Sequence, residues 1–237
     1  MANRITKRIP NTITCMNLFC GCVATYHGFM QNFEWALIFI ILGAAFDFFD
    51  GMAARLLDTH SIIGKDIDSL ADDITFGIAP ASMVFGWLQI WLQNYYSMAP
   101  FIAYVPYIAF LIAVFSALRL AKFNNDTRQT TSFIGLPVPA NALFWGALIV
   151  GGDEMLMSFQ LTPLLIIILI AVSCWLLVSE IPMFSLKFKN LTWADNKVRF
   201  IFLFGCLLLL AMFEIVGIAL IVVWFILLSL ITQRKAS

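Results

Sequence analysis

Charge is what this chain has least of. Only 12% of its 237 residues are Asp, Glu, Lys or Arg, about half the share usual in a soluble domain, which is roughly 25%. Long polar segments are missing too. The longest runs from Phe184 to Arg199, which leaves no room for an attached soluble domain. Paired cysteine is also absent. The five cysteines (Cys15, Cys20, Cys22, Cys174, Cys206) are odd in number and lie in apolar stretches, and Cys20-Gly21-Cys22 lacks the two-residue spacer of redox and zinc sites. They read as small buried hydrophobes. The basic N-terminus leads into an apolar stretch containing Asn17 with no convincing cleavage site, so a cleavable signal peptide is not expected. What is there is apolar: 62% hydrophobic residues with 23 Phe and 7 Trp, and a mean hydropathy of +0.92. The chain is solvated by lipid. Its formal net charge of zero therefore says less than the position of each charge.

A helix of about 20 apolar residues crosses a bilayer. On that scale spans fall near 12–30, 34–56, 67–94, 101–123, 136–152, 160–182, 199–213 and 215–232. Pro137 and Pro139 mark the entry of the fifth, where a missing backbone N–H matters least. Only the neighbourhood of Glu214 and Gly217 separates the last two, so seven spans is the competing topology. With eight, all 14 Lys and Arg fall on one side, and the opposite connections around His27–Glu34, Gln93–Ala99, Gly151–Gln160 and Glu214 hold none. The positive-inside rule makes the populated side cytoplasmic, with both termini there. Phe184–Asn196 alternates basic and aromatic residues, which suits the inner headgroup layer. Nucleic acid is not an expected partner.

Against this background Asp47, Asp50, Asp68 and Asp72 stand within 26 residues. A carboxylate near the bilayer centre costs on the order of 2.5–3.5 kcal/mol, so four of them call for water, cations or both. Asp47 and Asp50 share one helical face at the cytoplasmic half of the second span, with Gly51 and Ala54 beside them. Asp68 and Asp72 lie four apart on the next helix, one turn after Gly64. The short segment Leu57–Ile63 makes these helices antiparallel neighbours, so two Asp pairs can face one gap. An all-carboxylate set favours Mg2+, Mn2+ or Ca2+ over zinc, and four acids suffice for two ions, an arrangement that recurs in phosphoryl transfer. Arg55 can take a phosphate oxygen. A salt-bridge network is the structural alternative, but Arg55 and Lys65 cannot neutralise four aspartates, let alone Asp58, Asp66 and Asp73. A cation channel or ion-coupled transporter also explains intramembrane acids, but not the spacing of Gly51, Ala54, Arg55 and Gly64.

The pattern D-x2-D-G-x2-A-R-x8-G-x3-D-x3-D, filled at every fixed position here by Asp47, Asp50, Gly51, Ala54, Arg55, Gly64, Asp68 and Asp72, resembles the motif of the CDP-alcohol phosphotransferases. Asp68-Ser-Leu-Ala-Asp72 and Phe76-Gly-Ile-Ala-Pro80-Ala81 are similar to the membrane-embedded phosphatidylserine-synthase branch. Similar too are Ile9–Gly21, Leu118–Asn124, Phe133–Ala140 and Val178–Lys187. Ser69 and Asp73 replace the Pro and Lys of the glycerophosphate-using branch. Asp73 also departs from the apolar residue commoner there; it reads as solvated or supporting rather than as a fifth ligand.

The resemblance implies an all-α polytopic membrane bundle, usually a homodimer. Residues 1–182 form a six-helix catalytic core, 183–198 a cytoplasmic interfacial connection, and 199–237 two further helices and a tail. It implies two divalent ions, Mg2+ or Mn2+ (Ca2+ in a non-productive state), held by Asp47, Asp50, Asp68 and Asp72, with Asp72 also the base for the acceptor alcohol. A CDP-linked donor lies over Gly51 and Ala54, with Arg55 and Gly64 beside it. The implied reaction is CDP-diacylglycerol plus L-serine giving phosphatidylserine and CMP, at the cytoplasmic face of a bacterial-type cell membrane. Inositol phosphate or glycerol phosphate as acceptor, and an ether-lipid donor, are the alternatives within the family. Thr14 and Asn17 either bond the nucleotide or form a polar helix end. Arg119 and Lys122 either meet the acceptor carboxylate or anchor the span, and Ser69 and Asn124 complete the acceptor set. Asn124–Ser132 is expected to be a mobile flap.

Overall fold

Small and polar residues at helical spacing set how closely the first helices approach. The computed structural model describes residues 8–58, 62–95, 102–126, 133–184 and 192–233. In it α1 (Arg8–Phe29) and α2 (Phe33–Leu56) are joined by a three-residue turn and pack along their length. The buried stripe of α1 is Thr14, Asn17, Cys20, Ala24 and Gly28. That of α2 is Ala36, Ile40 and Gly43, continuing through half-buried Asp47 to buried Asp50. The acids therefore extend a helix-packing face.

The third span is one rod of three parts. α3 (Ile62–Asp72) passes through a π-helical turn (Asp73–Ile78) into α4 (Ala79–Tyr95). It begins at Ile62, five residues earlier than the sequence suggests. Most of it is covered by its neighbours, which makes it the centre of the bundle. Its Trp87 and Trp91 share the main core with Trp145. A 3-10 stretch (Ile102–Phe110) containing Pro106 leads into α5 (Leu111–Asn125). α6 (Val138–Gly151), a short α7 (Asp153–Met157) and α8 (Thr162–Val178) follow.

Two short strands, β1 (Phe133–Ile134) and β2 (Pro182–Met183), pair antiparallel, Phe133 opposite Met183. Residues 179–182, expected in the sixth span, have left the helix to make this contact. Gly135, at φ 77°, donates its amide to Ile181 O across 2.8 Å. A side chain there would press on the Leu177 and Ser179 carbonyls, so glycine is required at that position.

The last element, α9 (Trp193–Gln233), is broken at Glu214, whose φ of 48° and ψ of −122° are non-helical. The rings of Phe202 and Phe225 lie 5.9 Å apart. In a straight helix those 23 positions would separate them by about 35 Å. The chain therefore turns back at Glu214, and two antiparallel helices result. The chain turns helical at Trp193 and kinks at Asn196 (φ −122°, ψ 18°) before the long apolar helix, so the end of the expected 183–198 connection is helical on either side of that kink. Residues 185–191, and 127–132 of the expected flap, lie outside the described residues. This hairpin packs on α6 and β2 around a second apolar cluster that includes Leu136, Leu176, Met183 and Val222.

Phe33–Leu56, Ile63–Asn94, Ala103–Asn125 and Asn196–Thr232 are long and apolar enough to span a bilayer. Outward-facing Phe48, Trp175, Phe204 and Leu207 are 59–71% exposed, a surface that water would not tolerate at this density. The protein is an all-α polytopic integral membrane protein.

Candidate active site

The site forms where α2 and α3, both packed on α1, turn their acids toward one another, each supplying them at i, i+3 or i, i+4 spacing so that they leave the helix on one face. Carboxylate oxygens of Asp47, Asp50 and Asp68 all lie within 4.8 Å of one another. Asp72, one turn further along α3, is an electrostatic neighbour of all three. At such separations two unit charges repel by about 3 kcal/mol even at an effective dielectric of about 20. The basic residues nearest in sequence do not relieve this. Arg55 Nε donates to Gly51 O at 2.9 Å, and Lys65 Nζ donates to Asn124 O at 3.1 Å. Among the described residues no ion pair joins either to these aspartates, so the salt-bridge network weighed from sequence does not form.

Buried Asp50 Oδ2 and Asp68 Oδ1 have no hydrogen-bond partner. Unpaired buried carboxylate oxygens are costly unless a ligand takes them. Hard oxygen donors without nitrogen or sulfur suit Mg2+, Mn2+ or Ca2+. The residues present therefore fit a divalent ion.

Around the acids, small residues keep space. A Cβ at Gly51 would meet no atom within 4 Å, and Ala54 follows it on the same half-buried face. Gly64 lies in the first turn of α3, one turn before Asp68. Thr14 donates to Pro10 O at 3.0 Å, and its hydroxyl also lies within reach of Asp50. Asn17 is fully buried, with Nδ2 3.1 Å from Asp72 Oδ1, so it meets an aspartate rather than open space.

The expected acceptor residues separate into groups. Asn124 Nδ2 donates to Ser69 Oγ at 2.7 Å, and Ser69 donates to Lys65 O at 3.2 Å. Lys65, Ser69 and Asn124 thus tie α3 to the end of α5. Arg119 is only 4% exposed. Its guanidinium carbon sits 5.0 Å from the Phe123 ring centroid, and its Nε has no hydrogen-bond partner. Lys122 Nζ instead donates to Val178 O at 3.0 Å, capping the last carbonyl of α8, where a cation is favoured.

The π turn at Asp73–Ile78 had no counterpart in the sequence. Thr75, fully buried in the π turn, donates its hydroxyl to Asn17 O at 3.1 Å. Asp73 heads that turn with Oδ1 buried and unpartnered, against the Cα face of Gly77. No periodicity announces a π turn; the nearby glycines Gly21 and Gly43 were the available hint.

The profile of the CDP-alcohol phosphatidyltransferase family matches residues 7–184. A Bacillus subtilis protein named CDP-diacylglycerol–serine O-phosphatidyltransferase is 36% identical over 177 residues, 73% of this chain and 88% of the relative. A Methanocaldococcus jannaschii protein of the same name is 31% identical over 161 residues, 68% of each chain. One from Helicobacter pylori is 33% identical over 136 residues, and the match spans 56% of this chain and about half, 54%, of that relative. The C-terminal hairpin lies beyond the family match.

Proposed function

The chain belongs to the CDP-alcohol phosphatidyltransferase family, and on that premise we propose that it transfers the phosphatidyl group of CDP-diacylglycerol to the hydroxyl of L-serine, releasing CMP. The observation that carries this reading is the convergence of Asp47, Asp50 and Asp68 within 4.8 Å, beside Asp72 and an open surface at Gly51. The names of the relatives support serine as the acceptor.

Asp47, Asp50, Asp68 and Asp72 would hold two divalent ions, Mg2+ or Mn2+, which when bound neutralise the donor diphosphate and the departing phosphate of CMP. Gly51 and Ala54 leave room for the nucleotide, and Arg55, beside Gly51, presents its guanidinium to phosphate oxygens. Asp72 takes the proton of the serine hydroxyl as that oxygen bonds to the phosphatidyl phosphorus. The bond from that phosphorus to the CMP oxygen breaks, and CMP leaves as an anion. Arg119, buried and charged, receives the serine carboxylate, while Ser69 and Asn124 shape the acceptor side. The placement of the basic residues supports a site facing the cytoplasm, with acyl chains entering from the lipid. A homodimer, with residues 1–182 as catalytic core and the hairpin as an addition, completes the reading.

The test is purified protein in detergent with CDP-diacylglycerol, Mg2+ or Mn2+, and a panel of alcohols, read as CMP release. Serine-dependent CMP is the expected result. CMP only with inositol phosphate or glycerol phosphate would reassign the acceptor. No CMP with any alcohol would contradict the proposal and return cation transport to consideration.

A further inference from the structure

Asn17 is out of place as a polar helix end. It lies near the middle of α1, is 0% exposed, and reaches across to Asp72, 55 residues away in sequence, at 3.1 Å. A carboxylate only accepts hydrogen bonds, so the amide must present its nitrogen to it. The backbone of Asn17 is held in turn. Its carbonyl accepts the Thr75 hydroxyl at 3.1 Å, and Thr75 belongs to the π turn that begins directly after Asp72. The amide oxygen faces Gly43, where an added Cβ would stand 3.0 Å from it. Gly21 on the other side has no space for a Cβ because Thr75 fills it. One residue of α1 is thus clamped by α2 and the π turn, and its single directed bond goes to Asp72.

We propose that Asn17 is a positioning residue: it fixes the Asp72 carboxylate through Oδ1 and leaves Oδ2 turned to the acceptor hydroxyl. Thr75, Gly21 and Gly43 hold Asn17 in that rotamer. This rests on phosphatidyl transfer with Asp72 as base. It differs from the nucleotide contact expected from sequence, because a side chain sealed between three elements has no surface to offer a nucleotide.

The test compares Asn17→Ala, Asn17→Asp and Thr75→Val with the unmodified protein, at saturating Mg2+. Each is measured for CMP release against donor and serine concentration, for binding of CDP-diacylglycerol by calorimetry, and for thermal unfolding in detergent. Losing a hydrogen bond to a charged group corresponds to about 10- to 100-fold in rate. Asn17→Ala is expected to lose that much turnover, with donor KM and calorimetric affinity within about threefold of the unmodified protein. Asn17→Asp keeps the shape but replaces the donor with a like charge, so it is expected to be at least as slow as Asn17→Ala. A packing role alone would make it the milder of the two. Thr75→Val, an isosteric change, is expected to lose about three- to tenfold in turnover with an unchanged donor KM. Turnover of Asn17→Ala within threefold of the unmodified protein, or a loss confined to donor KM and affinity, would overturn the proposal. Silence of the unmodified protein would instead count against phosphatidyl transfer itself.

Discussion

Asn124 donates its side-chain amide to Ser69 Oγ across 2.7 Å, and this bond joins the C-terminal end of α5 to the helix that carries Asp68 and Asp72. It couples the acceptor side of the proposed site to the acids. Removing the amide leaves Ser69 tied only to Lys65 O of its own helix, without touching the donor surface at Gly51. Asn124→Ala is expected to raise the KM for serine by about two- to tenfold, the worth of one ordinary hydrogen bond. The KM for CDP-diacylglycerol stays put. Steady-state CMP release with each substrate varied in turn checks this.

Arg119 holds an unpaired buried Nε, which a carboxylate ligand would satisfy. Arg119→Ala is expected to raise the serine requirement by about 10- to 100-fold, as for a lost charge-assisted bond. Arg119→Lys keeps the charge but not the planar fork, and falls between the two. Serine titrations of both variants, alongside thermal unfolding to verify the fold, decide it. A serine response unchanged in both would make Arg119 a membrane anchor.

At Gly51 stability and activity should part. An added methyl meets nothing within 4 Å, and alanine is the better helix former by about 1 kcal/mol. Gly51→Ala is therefore expected to unfold at the same or a slightly higher temperature, yet to raise the KM for CDP-diacylglycerol. The pair of measurements separates a surface kept open for a ligand from one kept open by chance.

The hairpin gives the opposite dissociation. A Cβ at Gly205 would fall on the Trp224 indole, so Gly205→Leu overpacks the two antiparallel helices and costs on the order of 1–3 kcal/mol. Its unfolding midpoint should drop. Turnover per folded protein should not, because the hairpin lies beyond residues 7–184, the family match.

The parts of this protein that depend on local periodicity were legible in the sequence. Asp47 with Asp50, and Asp68 with Asp72, sit on shared faces because 3.6 residues per turn puts them there, and a short connection brings the two faces together. The long apolar helices Phe33–Leu56, Ile63–Asn94, Ala103–Asn125 and Asn196–Thr232 followed from apolar length in the same way, whereas α6 and α8 reach only 14 and 17 residues. The turn at Glu214 followed from a charge and a glycine in an otherwise unbroken apolar run. What could not be read depends on contacts between distant segments. An asparagine near a helix start looks the same whether it meets a nucleotide or, as Asn17 does, Asp72. Lys122 resembled an acceptor contact because its partner, the Val178 carbonyl, is a backbone atom, and every residue carries one. The π turn at Asp73–Ile78 packs against α1 and α5, contacts that helix propensity does not encode.

The most direct measurement is serine-dependent CMP release from CDP-diacylglycerol, followed before and after removal of divalent ions with EDTA, for the unmodified chain and Asp72→Asn. The expected result is release that needs serine, disappears with EDTA, returns with added Mg2+ or Mn2+, and is absent in Asp72→Asn while that variant still binds the donor. Undiminished CMP release by Asp72→Asn, or release indifferent to EDTA, would contradict a carboxylate site in which Asp72 takes the proton.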